Sequence, residues 1–223
     1  MDRLGEYYFN LDILRTYGPE IAAGLWVTLA AAVATVALGI GLGLAMAVAL
    51  AARVPVLRQA VVVWIEVFRT LPQLAVIIVL YFGLPYAGLT LSPFWATVGA
   101  LGAVLSAFAA EIFRSSIQAL PRGQWDAGYA LGLRFPVVFF RLILPQAIRL
   151  ALPLLTNRAI AITKGTALGT AVSLSEILGR AQSAMAIAAN PSPLTLAAAL
   201  YLVLFLPLVV ATRWVEAGRV VPR

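Results

Sequence analysis

An all-α membrane protein with five transmembrane helices and a polar helical loop after the third is the fold class this sequence predicts. Three observations predict it. Of 223 residues, 62% are hydrophobic and only 11% charged, with a mean hydropathy of +0.97, whereas roughly a quarter of the residues of soluble domains are charged. Apolar stretches of about 20 residues, the length a helix needs to cross a bilayer, recur along the chain. Segments rich in Arg, Gly and Pro separate them.

The first 20 residues, MDRLGEYYFNLDILRTYGPE, interleave Tyr7, Tyr8, Phe9, Leu11, Ile13, Leu14 and Tyr17 with Asp2, Glu6, Asp12 and Arg15. They lack the basic start and cleavage site of a secretory signal. An extracytoplasmic or interfacial segment is expected over 1–20, either a short helix lying in the membrane surface or a loose tail. No charge stands between Glu20 and Arg53, so the first span lies there, long enough to cross with tilt. Its Gly39, Gly41 and Gly43 offer a smooth face that another helix can approach closely. RVPVLR at 53–58 is a turn, residues 59–82 are a second span, and GLPYAGLTLSP turns the chain again. Residues 94–118 form the third span. A fourth apolar stretch starts near Leu142 and reaches at least Thr163, and PLTLAAALYLVLFLPLVVAT is the fifth. One membrane domain is thus expected over 21–216, with a cytoplasmic tail at 217–223.

Arginines set the orientation. The turn at 53–58, the loop at 119–141 and the tail hold Arg53, Arg58, Arg122, Arg134, Arg141, Arg213, Arg219 and Arg223, against Arg3, Arg15, Lys164 and Arg180 on the other side. The positive-inside rule then puts the N-terminus outside and the C-terminus inside. The net charge of +7 is a topology signal; a nucleic-acid partner requires these arginines on one solvated face. Membrane lipid is the expected surrounding. Cysteine and histidine are absent, which removes thiolate ligands, the commonest metal ligand and the commonest general base. No metal site and no catalytic residue are expected.

The mixed-polarity segment at 119–141 is the conspicuous exception. GQWDAGYAL has helical composition, Gly132 suits a helix C-terminus, and FPVVFF can run along the membrane surface before Pro145 redirects the chain. Its order is Asp126-Ala127-Gly128, three residues, Gly132, nine residues, Leu142, one residue, Leu144-Pro145. This spacing resembles the EAA signature of ABC importer permeases, with Asp126 for Glu, Gly128 for Ala and Leu142 for Ile. Around it, IEVFRTLPQL, YFGLP, AEIFRSSIQALPRGQWDAGYALGL, LPQAIRLALPLLTN and SEILGRAQ are similar to the polar amino acid uptake permeases over nearly all of residues 20–215.

That resemblance implies the type I importer transmembrane fold in the cytoplasmic (inner) membrane of a bacterium. It implies a coupling loop at about 119–145 whose helix docks in a groove of a separate ATP-binding subunit. Asp126, Ala127, Gly128, Gly132, Leu144 and Pro145 are the coupling residues, Ala127 and Gly128 supplying a small face and Gly132 a hinge. This chain has no GxxxxGK[ST] loop, so ATP and magnesium belong on the partner and no cofactor on this chain. Further implied partners are a second permease subunit, the same or similar, an extracytoplasmic solute-binding protein and a polar amino acid.

Charges inside spans cost roughly 2.5–3.5 kcal/mol or more at mid-membrane unless they face protein or water, which makes each a candidate site. Glu66-Val-Phe-Arg69 and Glu111-Ile-Phe-Arg114 place a carboxylate three residues before a guanidinium, a spacing at which helix neighbours pair. Glu111 and Arg114 are expected to form a local ion pair. Glu66 and Arg69, beside the helix-breaking Thr70-Leu71-Pro72-Gln73, are expected to line the path together with Pro72 and Gln73. Asn157, Arg158, Lys164, Thr166 and Glu176 form a second cluster, with Gly165 and Gly169 able to loosen the helix. The similar permeases carry a Lys-x-Thr element here, which adds Asn157, Lys164 and Thr166 to the path; alternatively, Lys164 anchors the outer interface. An ion-gradient-driven transporter predicts inverted repeats and acids that titrate alone, and a permease for another small zwitterion shares the same charges.

Overall fold

The computed structural model describes residues 2–52 and 55–217, and among them the chain is helical almost throughout. Helix α1 (Asp2–Tyr8) precedes α2 (Leu11–Ala51), whose start is capped by Asn10: its Oδ1 accepts from the backbone N–H groups of Asp12 and Ile13 at 3.1 and 3.2 Å. The expected interfacial segment is therefore divided, because from Leu11 onward it is the first ten residues of the first spanning helix.

Small residues decide what α2 packs against. Its buried positions Gly24, Thr28, Ala31, Thr35, Gly39, Gly43 and Ala47 recur every three or four residues and form one stripe. The first part of that stripe, Gly24 and Thr28, lies against Glu176 and Ile177 at the start of the helix at 177–188, and its later part, with Gly39 and Gly43, lies on α5 (Pro93–Gln118), the most enclosed helix of the bundle. A Cβ on Gly43 would stand 2.9 Å from the backbone nitrogen of Ala110, and one on Gly39 2.6 Å from Leu105 Cβ. The expected smooth face is thus occupied by this chain's own third span. Gly41 points away, with nothing within 4 Å.

The second span is not one straight helix over 59–82. Helix α3 (Pro55–Thr70) stops before Pro72, which cannot donate an N–H and disfavours helical backbone at Leu71. Helix α4 (Gln73–Ile78) leaves at 111° and continues through a π turn, Val79–Gly83, and a 3₁₀ turn, Leu84–Ala87. By length and composition four helices among the described residues are able to cross a membrane, and the bent pair, if counted as one span, is a fifth.

Helix α6 (Arg122–Ala130) follows α5 at the end of the bundle where α2 finishes. The chain then enters α7 (Phe135–Val137), a π turn (Val138–Ile143) and α8 (Leu144–Thr163) as one continuous rod. FPVVFF is thus the first part of the fourth span, and Pro145 widens the helix before it without redirecting the chain. The wide turn is visible in the Leu144 N–H, which bonds the Phe139 carbonyl five residues back. After Thr163 the rod tightens to a 3₁₀ segment, Lys164–Val172. Helix α9 (Ile177–Ala188) and α10 (Ser192–Ala217) complete the described residues. Ser192 Oγ accepts from the Asn10 N–H at 2.9 Å, tying the start of α10 to the start of α2. Arg53, Arg219 and Arg223, and with them most of the expected cytoplasmic tail, lie outside the described residues.

Candidate functional site

Two regions bring the sequence candidates together, and the first is α6. Gly132 has φ +73°, and the bonds Gly132 N–H to Tyr129 O (2.9 Å) and Leu133 N–H to Gly128 O (3.2 Å) close a Schellman motif. This matches the expected helix C-terminus. Asp126 and Ala127 are exposed. Gly128 is not: it is buried against this chain's own fourth span, where a Cβ would stand 2.8 Å from Val138 Cγ2 and 3.3 Å from Leu142 Cδ1. Of the expected small face, only Ala127 is turned outward. Gly128 has the opposite task of letting α6 sit down on the π turn.

Aromatic packing fixes that seat. Trp125 stacks near Phe135 and Phe139, with ring centroids 6.2 and 6.3 Å away, and the two phenyl rings lie 5.5 Å apart. Leu144 packs in the same apolar cluster, together with Val48 of α2 and Ile117 of α5. Pro145 is exposed. The apolar cluster on which α6 sits thus includes the ends of α2, α5 and the fourth span. Beside it opens a hollow of about 1230 Å³ whose charged walls are Arg58, Arg114, Arg122 and Asp126. Arg114 is already held by Glu111 through two hydrogen bonds of 3.1 and 3.0 Å, the local ion pair expected from the spacing.

The second region is the break in span two. A cleft of about 440 Å³ is walled by Arg69, Pro72 and Gln73 from that break, Phe108 of α5, and Arg158 and Ile162 of α8. The Arg158 guanidinium lies over the Phe108 ring at 3.2 Å from its centroid, and Arg69 approaches the same ring at 5.6 Å. Such cation–π contacts contribute roughly 0.5–2 kcal/mol. They hold two like charges at one wall.

Sequence spacing misjudged the partner of Arg69. No ion pair within 4 Å joins it to Glu66 among the described residues; Glu66 is exposed, and its backbone carbonyl accepts from the Thr70 hydroxyl at 2.7 Å. Arg69, in the last turn of α3 before the break, lies instead beside Phe108 of α5. Asn157, Lys164 and Thr166 are not part of the cleft wall. Asn157 is exposed on α8, and Lys164 lies over Phe205 of α10 at 5.9 Å. Thr166 is fully buried and donates to the Thr163 carbonyl at 2.9 Å. Glu176, also fully buried, caps α9 by accepting from the Gly179 N–H at 2.9 Å, and it accepts from the hydroxyls of Thr28 and Tyr201. It fastens α9 to α2 and α10.

Phe108 is the cleft residue that sequence reasoning missed. Its signal is weak: one ring in a stretch of small and aliphatic residues, one turn before Ile112 and close to Glu111. Arg158 had a clearer one, an intramembrane cation with no acid three or four positions away on either side.

Residues 39–220 match the family described as the inner membrane component of binding-protein-dependent transport systems. The chain is 32% identical over 170 residues to the L-cystine transport system permease protein TcyB of Bacillus subtilis, covering 76% of this chain and 73% of that one. It is 37% identical over 153 residues to the arginine transport system permease protein ArtQ of Bacillus subtilis, covering 68% and 70%. A crystal structure of an amino acid ABC transporter with histidines superposes with a TM-score of 0.83 at 29% identity, over 92% of this chain and 96% of that chain.

Proposed function

From the premise that this chain belongs to the family of inner membrane components of binding-protein-dependent transport systems and is the permease subunit of an ABC importer, we propose that it carries a polar amino acid through the Arg69–Phe108–Arg158 cleft. A solute-binding protein delivers the amino acid from outside, where the N-terminus and α9 lie. The C-terminus and α6 face the cytoplasm. There Asp126 and Ala127 meet the groove of an ATP-binding subunit, which holds ATP and magnesium. Two permease folds, the same or similar, close around one path.

The observation that supports coupling best is the seating of α6. Its outer face carries the exposed Asp126 and Ala127, while its inner face is seated on the fourth span through Gly128, Trp125 and the Phe135–Phe139 stack, in an apolar cluster shared with the ends of α2 and α5. A nucleotide-driven shift of the docked groove therefore moves the bundle without first deforming the helix. A guanidinium pair at the cleft suits the carboxylate of an amino acid.

The test uses proteoliposomes containing this chain, its ATP-binding subunit and the binding protein. Asp126→Lys reverses the charge of an exposed residue, and Gly132→Val forces a β-branched residue into the left-handed region at a cost of roughly 1–2 kcal/mol. Both variants are expected to insert normally, yet to lose at least tenfold in uptake and in stimulated ATP hydrolysis. Wild-type rates of both in Asp126→Lys would sink the coupling assignment.

A further inference from the structure

We propose that this subunit discriminates by charge on its own account: its cleft accepts amino acids with neutral or acidic side chains and rejects cationic ones. The inference rests on the reading of the cleft as the amino acid path, and it deepens that reading. Every amino acid brings one carboxylate and one ammonium, so the side chain decides which net charge must be accommodated. The charged residues of the cleft wall are Arg69 and Arg158, and no carboxylate is among its lining residues.

The acids of the neighbouring helices are engaged elsewhere or turned away. Glu111 is held bidentately by Arg114. Glu176 is enclosed between Thr28, Tyr201 and the start of α9. Glu66, the acid closest to Arg69 in sequence, is exposed and absent from the wall. Nothing in the cleft therefore compensates a third positive charge.

The two guanidinium groups converge on one phenyl ring, so each raises the cost of the other until an anion arrives. A substrate carboxylate relieves that repulsion and can be held by planar forks of donors. A second carboxylate, as in an acidic side chain, has the second arginine to meet. A neutral amide side chain meets Gln73, whose own amide donates and accepts. A guanidinium or ammonium side chain meets like charge, the Gln73 oxygen and a Phe108 ring that Arg69 and Arg158 already engage. The volume of about 440 Å³ is in the range of small-ligand pockets, so size excludes none of these three and charge makes the selection. In such a system the binding protein and the permease filter in series.

Equilibrium binding separates this filter from that of the binding protein. The purified permease–ATPase complex in lipid nanodiscs, with no binding protein present, is titrated with L-glutamate, L-glutamine and L-arginine by calorimetry. Glutamate and glutamine are expected to bind at least tenfold more tightly than arginine. In Arg158→Gln the advantage of glutamate over arginine is expected to shrink at least tenfold, while Arg158→Lys keeps the order. Arginine binding as tightly as glutamate to the wild-type complex would overturn the proposal, and so would an unchanged order in an assembled Arg158→Gln complex. If Arg158→Gln fails to assemble, the wild-type order alone decides. Failure of all three to bind, in a complex that still takes up amino acid with its binding protein, also overturns the charge filter but leaves the importer reading intact. Absence of uptake of any amino acid by the complete complex sinks the importer reading, and the filter with it.

Discussion

Gly41 and Gly43 stand two positions apart on α2 and meet opposite surroundings. A methyl group on Gly43 would press on Ala109 and on the backbone nitrogen of Ala110, neither of which can rotate away, whereas one on Gly41 meets open space. Gly43→Ala is therefore expected to destabilise the bundle by about 1–3 kcal/mol through overpacking. Gly41→Ala is expected to be neutral or slightly stabilising, since alanine is favoured over glycine in a helix interior by about 1 kcal/mol. Thermal unfolding of the two detergent-solubilised variants, followed by loss of the monodisperse peak, checks the contrast. Equal melting temperatures would mean that α2 and α5 are not in contact at Gly43. The same reasoning explains why composition alone could not assign roles to the three glycines: each is permissive, and only the neighbour across the interface makes Gly39 and Gly43 indispensable and leaves Gly41 free to change.

At the scale of the element, α6 presents two small residues in succession with different duties. Ala127 is exposed, while Gly128 rests on Val138 and Leu142. Ala127→Tyr is expected to leave the stability of the isolated permease unchanged and to weaken its association with the ATP-binding subunit at least tenfold, because the bulk falls on the docking face. Gly128→Val is expected to do the reverse first, lowering the melting temperature by lifting α6 from the π turn. Melting curves and pull-down of the ATP-binding subunit from the same preparations separate the two effects. Stable association of Ala127→Tyr at wild-type affinity would show that this face does not dock. The second span makes a related point about elements. Pro72 was legible as a breaker, but that the chain bends there by 111° and that Arg69, just before the bend, meets Phe108 follow from packing against α5, a partner distant in sequence.

For the whole molecule, the exposed apolar surface is the informative quantity. Leu202, Val203 and Leu206 on α10 and Val63 on α3 are more than half exposed, as suits a protein whose outer surface meets acyl chains or another permease. If α6 docks an ATP-binding subunit as proposed, each chain offers one such helix, and an importer that closes two ATP-binding subunits requires two permease folds. Native mass spectrometry of the intact complex is expected to give two permease chains, identical or similar, per two ATP-binding subunits. One permease per two would contradict it.

The sequence by itself determined the all-helical membrane fold, the apolar stretches that form its spans, and the family to which the spacing around Asp126 is similar. These are properties of local composition and period, and lipid enforces them strictly because an unpaired charge or backbone group in the bilayer core costs several kcal/mol. The left-handed turn at Gly132 and the Glu111–Arg114 pair were legible for the same reason, as both depend on residues within one or two helical turns. The cleft was not. Glu66 and Arg69 have the spacing of a pair within α3, yet no ion pair joins them among the described residues, and the ring that Arg69 and Arg158 share comes from a third helix. Which face of α6 is free, and which intramembrane charges meet, were decided by tertiary structure, because contacts between helices depend on where each rod bends and on which small residues let two backbones approach.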